Sequence, residues 1–97
     1  MANQIRMTPD KMRSRSKETE KQKKAVSDVI RYMDKLLENL KGEWEGEAVR
    51  GYEERYNKIK PTLINAEELL GEIAYNLNET ARIVEDTDKN IASQFRK

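Results

Sequence analysis

The chain has no cysteine and no histidine among its 97 residues, which removes disulfide staples and the commonest zinc ligands together. Its four glycines and two prolines form no linker and no low-complexity run. No stretch approaches the roughly twenty apolar residues of a membrane span. Residues Met1 to Asp10 lack the apolar centre of a cleavable signal peptide, so the general secretory route is not expected. There is no P-loop, no dinucleotide-type glycine motif, and no nucleophile with a histidine partner. The expectation is therefore a protein that is not an enzyme and needs no cofactor and no metal.

What is present is one small domain with 36% hydrophobic and 38% charged residues, too little apolar material for a thick private core. Small cores are helped by disulfides, metals or oligomerisation, and the last of these is the aid that remains. Disorder fits poorly, because the net charge is only +1 and the apolar residues recur at regular spacing.

That spacing is organised around Gly42-Glu43-Trp44-Glu45-Gly46, which holds the single tryptophan. A glycine just past an apolar-periodic run suits a left-handed helix stop, so Gly42 is expected to end one helix and Gly46 to let another begin. Upstream, Thr8-Pro9-Asp10 supplies a capping hydroxyl, a proline suited to the first helical position and an acid near the positive end of the helix dipole. The first helix carries Val26, Val29, Ile30, Met33, Leu36, Leu37 and Leu40, whereas Arg13 to Lys24 offers only Ser16 and Thr19 at core-like spacing. The second carries Tyr52, Tyr56, Ile59, Leu63, Leu70, Ile73, Leu77, Ala81 and Val84 in steps of mostly three and four. The expected fold is all-α, a single antiparallel helix-turn-helix hairpin over residues 1–97. Its first helix spans about residues 8–41, its bend 42–46, and its second helix about 47–95. Each helix then runs on the order of 50 Å. Pro61 predicts a kink or a short irregular turn near Lys58 to Thr62, since it lacks the amide that would bond to Asn57.

Charge supports the antiparallel arrangement. The first 24 residues carry eight Lys/Arg against Asp10, Glu18 and Glu20, and the balance reverses from Thr62 onward. Folding at Trp44 lays the opposite blocks side by side, which selects register more than it stabilises. A lone hairpin leaves part of its apolar stripe open, and pairing two hairpins into a four-helix bundle closes it. The packing and dimer seam is assigned to Val26, Ile30, Met33, Leu37, Leu40, Tyr52, Tyr56, Ile59, Leu63, Leu70, Ile73 and Leu77. A homodimer is the default and a heterodimer the alternative.

The remaining features have plain readings beside sharper ones. Trp44 serves either as a plug against Tyr52 or Leu40, or as a recognition residue. Glu43, Glu45 and Glu47 are read as solvating the turn and not as a metal or acid-base site. The basic block from Arg6 to Lys24 lacks interleaved aromatics and faces an acidic helix, so it is read as a solvated face and no nucleic-acid partner is expected.

About a hundred residues, two amphipathic helices, Trp44-Glu45-Gly46 in the bend and the opening Ile5-x-Met7-Thr8-Pro9 together resemble the Trp-X-Gly (WXG) family of early-secreted-antigen-like proteins. The resemblance covers nearly the whole chain. Val84, Asp88, Ile91 and Phe95 also fit the C-terminal pattern of family members from low-GC Gram-positive bacteria. Tyr75 with Glu79 fits the Tyr-x-x-x-acid export motif of actinobacterial relatives, but it lies mid-helix. It is therefore the weaker candidate, read as a core tyrosine with a surface glutamate.

The resemblance implies a small secreted, virulence-associated substrate of a type VII (ESX-like) secretion system. Such a substrate folds in the cytoplasm, is bound through its C-terminal region by a membrane ATPase and leaves as a folded helical dimer, without a signal peptide. The implied partners are a second copy or a related small chain, and that ATPase. A heterodimeric adaptor for a larger toxin-like substrate is the competing class. A membrane-active effector whose apolar stripe meets lipid is a third.

Overall fold

The computed structural model describes residues 6–95, with the side chain of Phe95 outside the described residues. Two helices, α1 (Pro9–Glu43) and α2 (Glu47–Phe95), form an antiparallel hairpin 78 Å long. Helix α1 starts where the sequence caps it. The Thr8 hydroxyl accepts a hydrogen bond from the Lys11 amide at 3.1 Å, the Thr8 carbonyl accepts from the Met12 amide, and Pro9 takes the first helical position.

The bend corrects one expectation. Gly42 lies inside α1 and does not stop it. The helix runs to Glu43 because Trp44, in extended conformation, still donates its amide to the Leu40 carbonyl at 2.8 Å and so closes the last turn. Gly46 carries the left-handed backbone, with φ of +142°. The chain therefore reverses over Trp44, Glu45 and Gly46.

Pro61 does not break α2. Of the kink or short irregular turn expected near Lys58 to Thr62, the turn does not occur, and α2 is helical from Glu47 to Phe95. Asn57 and Pro61 are both exposed, so the carbonyl that lacks an amide partner faces water and not the packed seam.

Packing between the helices follows a seven-residue rhythm. Lys41 pairs with Glu53, Asp34 with Lys60, and Ser27 bonds to Glu67, so each step of seven toward the start of α1 is matched by seven along α2. These polar contacts line one edge of the seam. At its centre lie Met12, Ser16, Ile30 and Leu37 of α1 against Val49, Tyr56, Ala74 and Ala81 of α2. Ser16 is 1% exposed and donates its hydroxyl to the Ala74 carbonyl at 2.7 Å, which satisfies a polar group otherwise costly to bury. Small side chains at Ser16, Ala74 and Ala81 suit close packing in the half of α1 that has the weakest apolar pattern. Further along, Arg13 reaches Glu85, so the basic and acidic blocks do face each other. Glu85 takes that cross-helix partner in place of its own-helix neighbour Lys89.

Candidate functional site

Three surfaces are left for function, and the heptad geometry determines all of them. The first is an open apolar face. Tyr52, Ile59 and Ile73 were assigned to the packing and dimer seam, yet they are 49%, 50% and 41% exposed in the hairpin. Tyr52 is thus no core residue of the single chain, in contrast to Tyr56 four residues on, which is 6% exposed. Val26, Met33, Leu40, Leu63, Leu70 and Leu77 are half-buried, and Ile30, Leu37 and Tyr56 are buried. The reason is angular. The residues α2 turns toward α1 recur from Val49 through Tyr56 and Leu63 to Leu70, whereas the series Tyr52, Ile59, Ala66 and Ile73 lies one turn round on the side away from the polar ladder. Near the bend the open face deepens into a groove of about 490 Å³, with Val29, Met33 and Leu40 on one wall and Tyr52, Ile59 and Leu63 on the other.

The polar edge holds the hairpin's one strongly perturbed tyrosine. Tyr56 donates its hydroxyl to Asp34 Oδ1 at 2.9 Å, and Lys60 Nζ reaches both Asp34 oxygens at 3.0 and 3.1 Å. Burial, reinforced by the adjacent carboxylate, pushes the Tyr56 phenol up to about 12. Hydrogen bonds from Lys60 and then from Tyr56 hold Asp34 below its usual range. The Lys60 ammonium also sits 5.8 Å from the centre of the Tyr56 ring. This cluster is structural. It ties the two helices together beside the groove and leaves no basic or nucleophilic group free.

The second surface is the bend. Trp44 is 47% exposed and packs its ring on Tyr52, with centroids 6.3 Å apart and planes tilted by 58°. Tyr52 therefore joins the indole to the rim of the apolar groove. Beside it, Lys41, Glu45, Gly46, Val49 and Arg50 complete a shallow depression of about 260 Å³ around the indole.

The third surface is the end of α2. Extending the register of Lys41–Glu53, Asp34–Lys60 and Ser27–Glu67 puts Pro9, the first residue of α1, level with Glu85, so the stretch from Asp86 to Phe95 projects beyond the helical partner. It spans about 15 Å at 1.5 Å per residue. Val84 is half-buried, Asp88 is exposed and Ile91 is 48% exposed; the Phe95 side chain is outside the described residues. Tyr75 and Glu79 sit elsewhere. Tyr75 is 65% exposed, which corrects its reading as a core residue: it falls on the polar edge, beside Lys23 and Gly71. Glu79 is half-buried and engaged by Arg82 at 3.0 Å, a contact that raises the guanidinium pKa further. No cluster of metal-ligating side chains occurs among the described residues. The sequence pattern did not mark Met12, whose side chain is 1% exposed and among the most deeply packed; its isolation in a charged stretch hid it.

Residues 4–89 match the family model described as proteins of 100 residues with WXG. The chain belongs to the WXG100 family. Among its relatives, protein YukE of Bacillus subtilis is 31% identical over 96 residues, covering 99% of each chain. The type VII secretion system extracellular protein A of Staphylococcus aureus is 25% identical over 91 residues, covering 94% of each. A crystal structure of Geobacillus thermodenitrificans EsxA superposes with a TM-score of 0.88 at 32% identity, over 95% of this chain and 99% of that one. The WXG100 match takes in the Trp44 bend, Val84 and Asp88 but stops short of Ile91 and Phe95. The last two positions of the tail pattern therefore rest on this chain's own spacing.

Proposed function

We propose that this WXG100 chain is a small exported substrate of a type VII secretion system, leaving the cell as a folded pair of helical hairpins. The observation that carries the dimer is the open face. A chain of this composition leaves Tyr52, Ile59 and Ile73 about half exposed on a continuous side of α2, beside a groove lined by Val29, Met33 and Leu40. Buried against a second hairpin, that face becomes the interior of a four-helix bundle. Secretion is supported by family membership and by the Staphylococcus aureus relative, whose name places it among type VII extracellular proteins. The export signal has two parts, the Trp44-Glu45-Gly46 bend and the Val84, Asp88, Ile91, Phe95 tail, which a membrane ATPase reads.

The test is export from a strain carrying a type VII system. Trp44→Ala and truncation after Ala81 each lower the extracellular fraction while the cytoplasmic chain stays helical. Full secretion of the truncated chain rejects the tail assignment, and wild-type export of an obligate monomer rejects dimeric export. The open face equally fits a related small chain. Co-purification of a stoichiometric second chain establishes the heterodimeric adaptor reading instead, and no such chain is expected.

A further inference from the structure

The ladder along the polar edge of the hairpin does not end where α1 ends. On α2 its positions advance by seven from Glu53 through Lys60 and Glu67 to Ala74, Ala81 and then Asp88. On α1 the matching steps run from Lys41 through Asp34 and Ser27 toward Arg13 and then Arg6. The contacts at Glu53, Lys60 and Glu67 fix this register. At the Ala81 position α2 offers only a buried methyl group, and Arg13 reaches on to Glu85. The next position, Asp88, should face residue 6, yet none of the described residues stands there.

Two features of the fold account for the vacant place. Proline has no amide and disfavours a helical residue before it, so the Thr8-Pro9 cap stops α1 one turn short. Beyond the cap the chain turns aside, and Arg6 and Met7 line a groove with Ile73, Leu77 and Thr80. Exposure then climbs along the seam of α2: Ala81 is 0% exposed, Val84 half-buried, and Ile91 48% exposed. Val84, Asp88 and Ile91 keep the four-then-three spacing of the covered seam. Asp88 has no ion pair among the described residues, while Glu85 and Asp86 are engaged by Arg13 and Arg82.

We infer that the tail seam of α2 receives an amphipathic helix of a second protein, lying in line with α1 and antiparallel to α2, with a basic residue opposite Asp88. The Thr8-Pro9 stop is what keeps that place free. This rests on the reading of the chain as an export substrate, and it assigns the occupant to the export machinery. Continuity with the α1–α2 interface sets the geometry and the free carboxylate sets the charge. Three turns of seam give a small contact, suited to an encounter that must release its cargo.

The absence of cysteine makes a clean test available. In purified protein, Arg6→Cys with Asp88→Cys reports whether residue 6 lies beside the tail. The parent pair stays reduced under mild oxidation, whereas adding Thr8→Ala and Pro9→Ala extends α1 and lets the disulfide form. Thr8→Ala/Pro9→Ala with Arg6 and Asp88 retained then lowers export by about tenfold or more, because the lengthened α1 fills the place of the partner helix and Arg6 that of its cation. Disulfide formation with undiminished export overturns the inference. If α1 does not lengthen, Asp88→Arg decides: a loss of about tenfold or more supports the basic partner, and wild-type export overturns it. Truncation after Ala81 separates the two levels, since full secretion there removes the substrate reading itself.

Discussion

Replacing Ile73 with aspartate distinguishes packing within the hairpin from packing between hairpins. Full burial of an isoleucine stabilises by about 1.5–3 kcal/mol. Ile73 leaves 41% of its surface exposed in the single chain, so roughly 1 kcal/mol per copy depends on the second hairpin. A carboxylate left unpaired in that interface adds at least about 1–3 kcal/mol per copy. Over the two copies of a dimer the loss is roughly 4–8 kcal/mol, or about three to six decades in dissociation constant at 1.4 kcal/mol per decade. Light scattering across a concentration series should give twice the chain mass of 11.4 kDa for the parent and the single mass for Ile73→Asp. Circular dichroism of the variant should still show a helical chain. Ala81→Asp is the control: its site is 0% exposed within the hairpin, so the same charge there should remove helicity itself. An Ile73→Asp protein that remains dimeric at micromolar concentration refutes the assignment of this face.

The glycines of the bend should separate sharply. Gly46→Ala forces an alanine into a backbone at φ +142° and should cost about 1–2 kcal/mol in thermal unfolding, whereas Gly42→Ala, helical and with open space around the added carbon, should stabilise by up to about 1 kcal/mol. The pH response follows from the Asp34 and Tyr56 cluster. Asp34 is held low, so its contribution is present above its ordinary value of 3.8 and is lost as pH falls through the depressed folded value. Tyr56 is raised to about 12, so its contribution is complete below 10 and is lost as pH climbs from 10 to 12. With no histidine in the chain, ellipticity at 222 nm should stay flat from pH 5 to 9; a transition near pH 6 would contradict this account.

The sequence made the helices legible because their signals are local. The Thr8 hydroxyl, Pro9, Gly46 and the three-and-four spacing act over one or two turns, and the structure places caps and helices there. The face of each helix was harder to read, because apolar spacing records every surface an assembly buries, without saying which neighbour does the burying. The stripe through Tyr52, Ile59 and Ile73 is the sum of two faces, one toward α1 and one away from it. A single chain resolves it by exposing the second. Gly42 misled for a related reason: a glycine marks a stop only when the next amide has no better carbonyl, and Trp44 finds Leu40. Tyr75, expected as core at its mid-helix position, falls on the side where Lys23 and Gly71 border the seam.

The ladder of Lys41, Asp34 and Ser27 against Glu53, Lys60 and Glu67 runs along one edge only, and this limits how large an assembly can grow. A hairpin with apolar residues on both edges would be a repeating link, able to add neighbours without end. With that edge already satisfied by its own charges, the groove side is the one left along the body of the hairpin for a second copy, and two such sides facing each other satisfy one another. In the proposed dimer, pairing of the hairpin bodies then stops at two copies. That limit is set by residues on the edge turned away from the proposed partner.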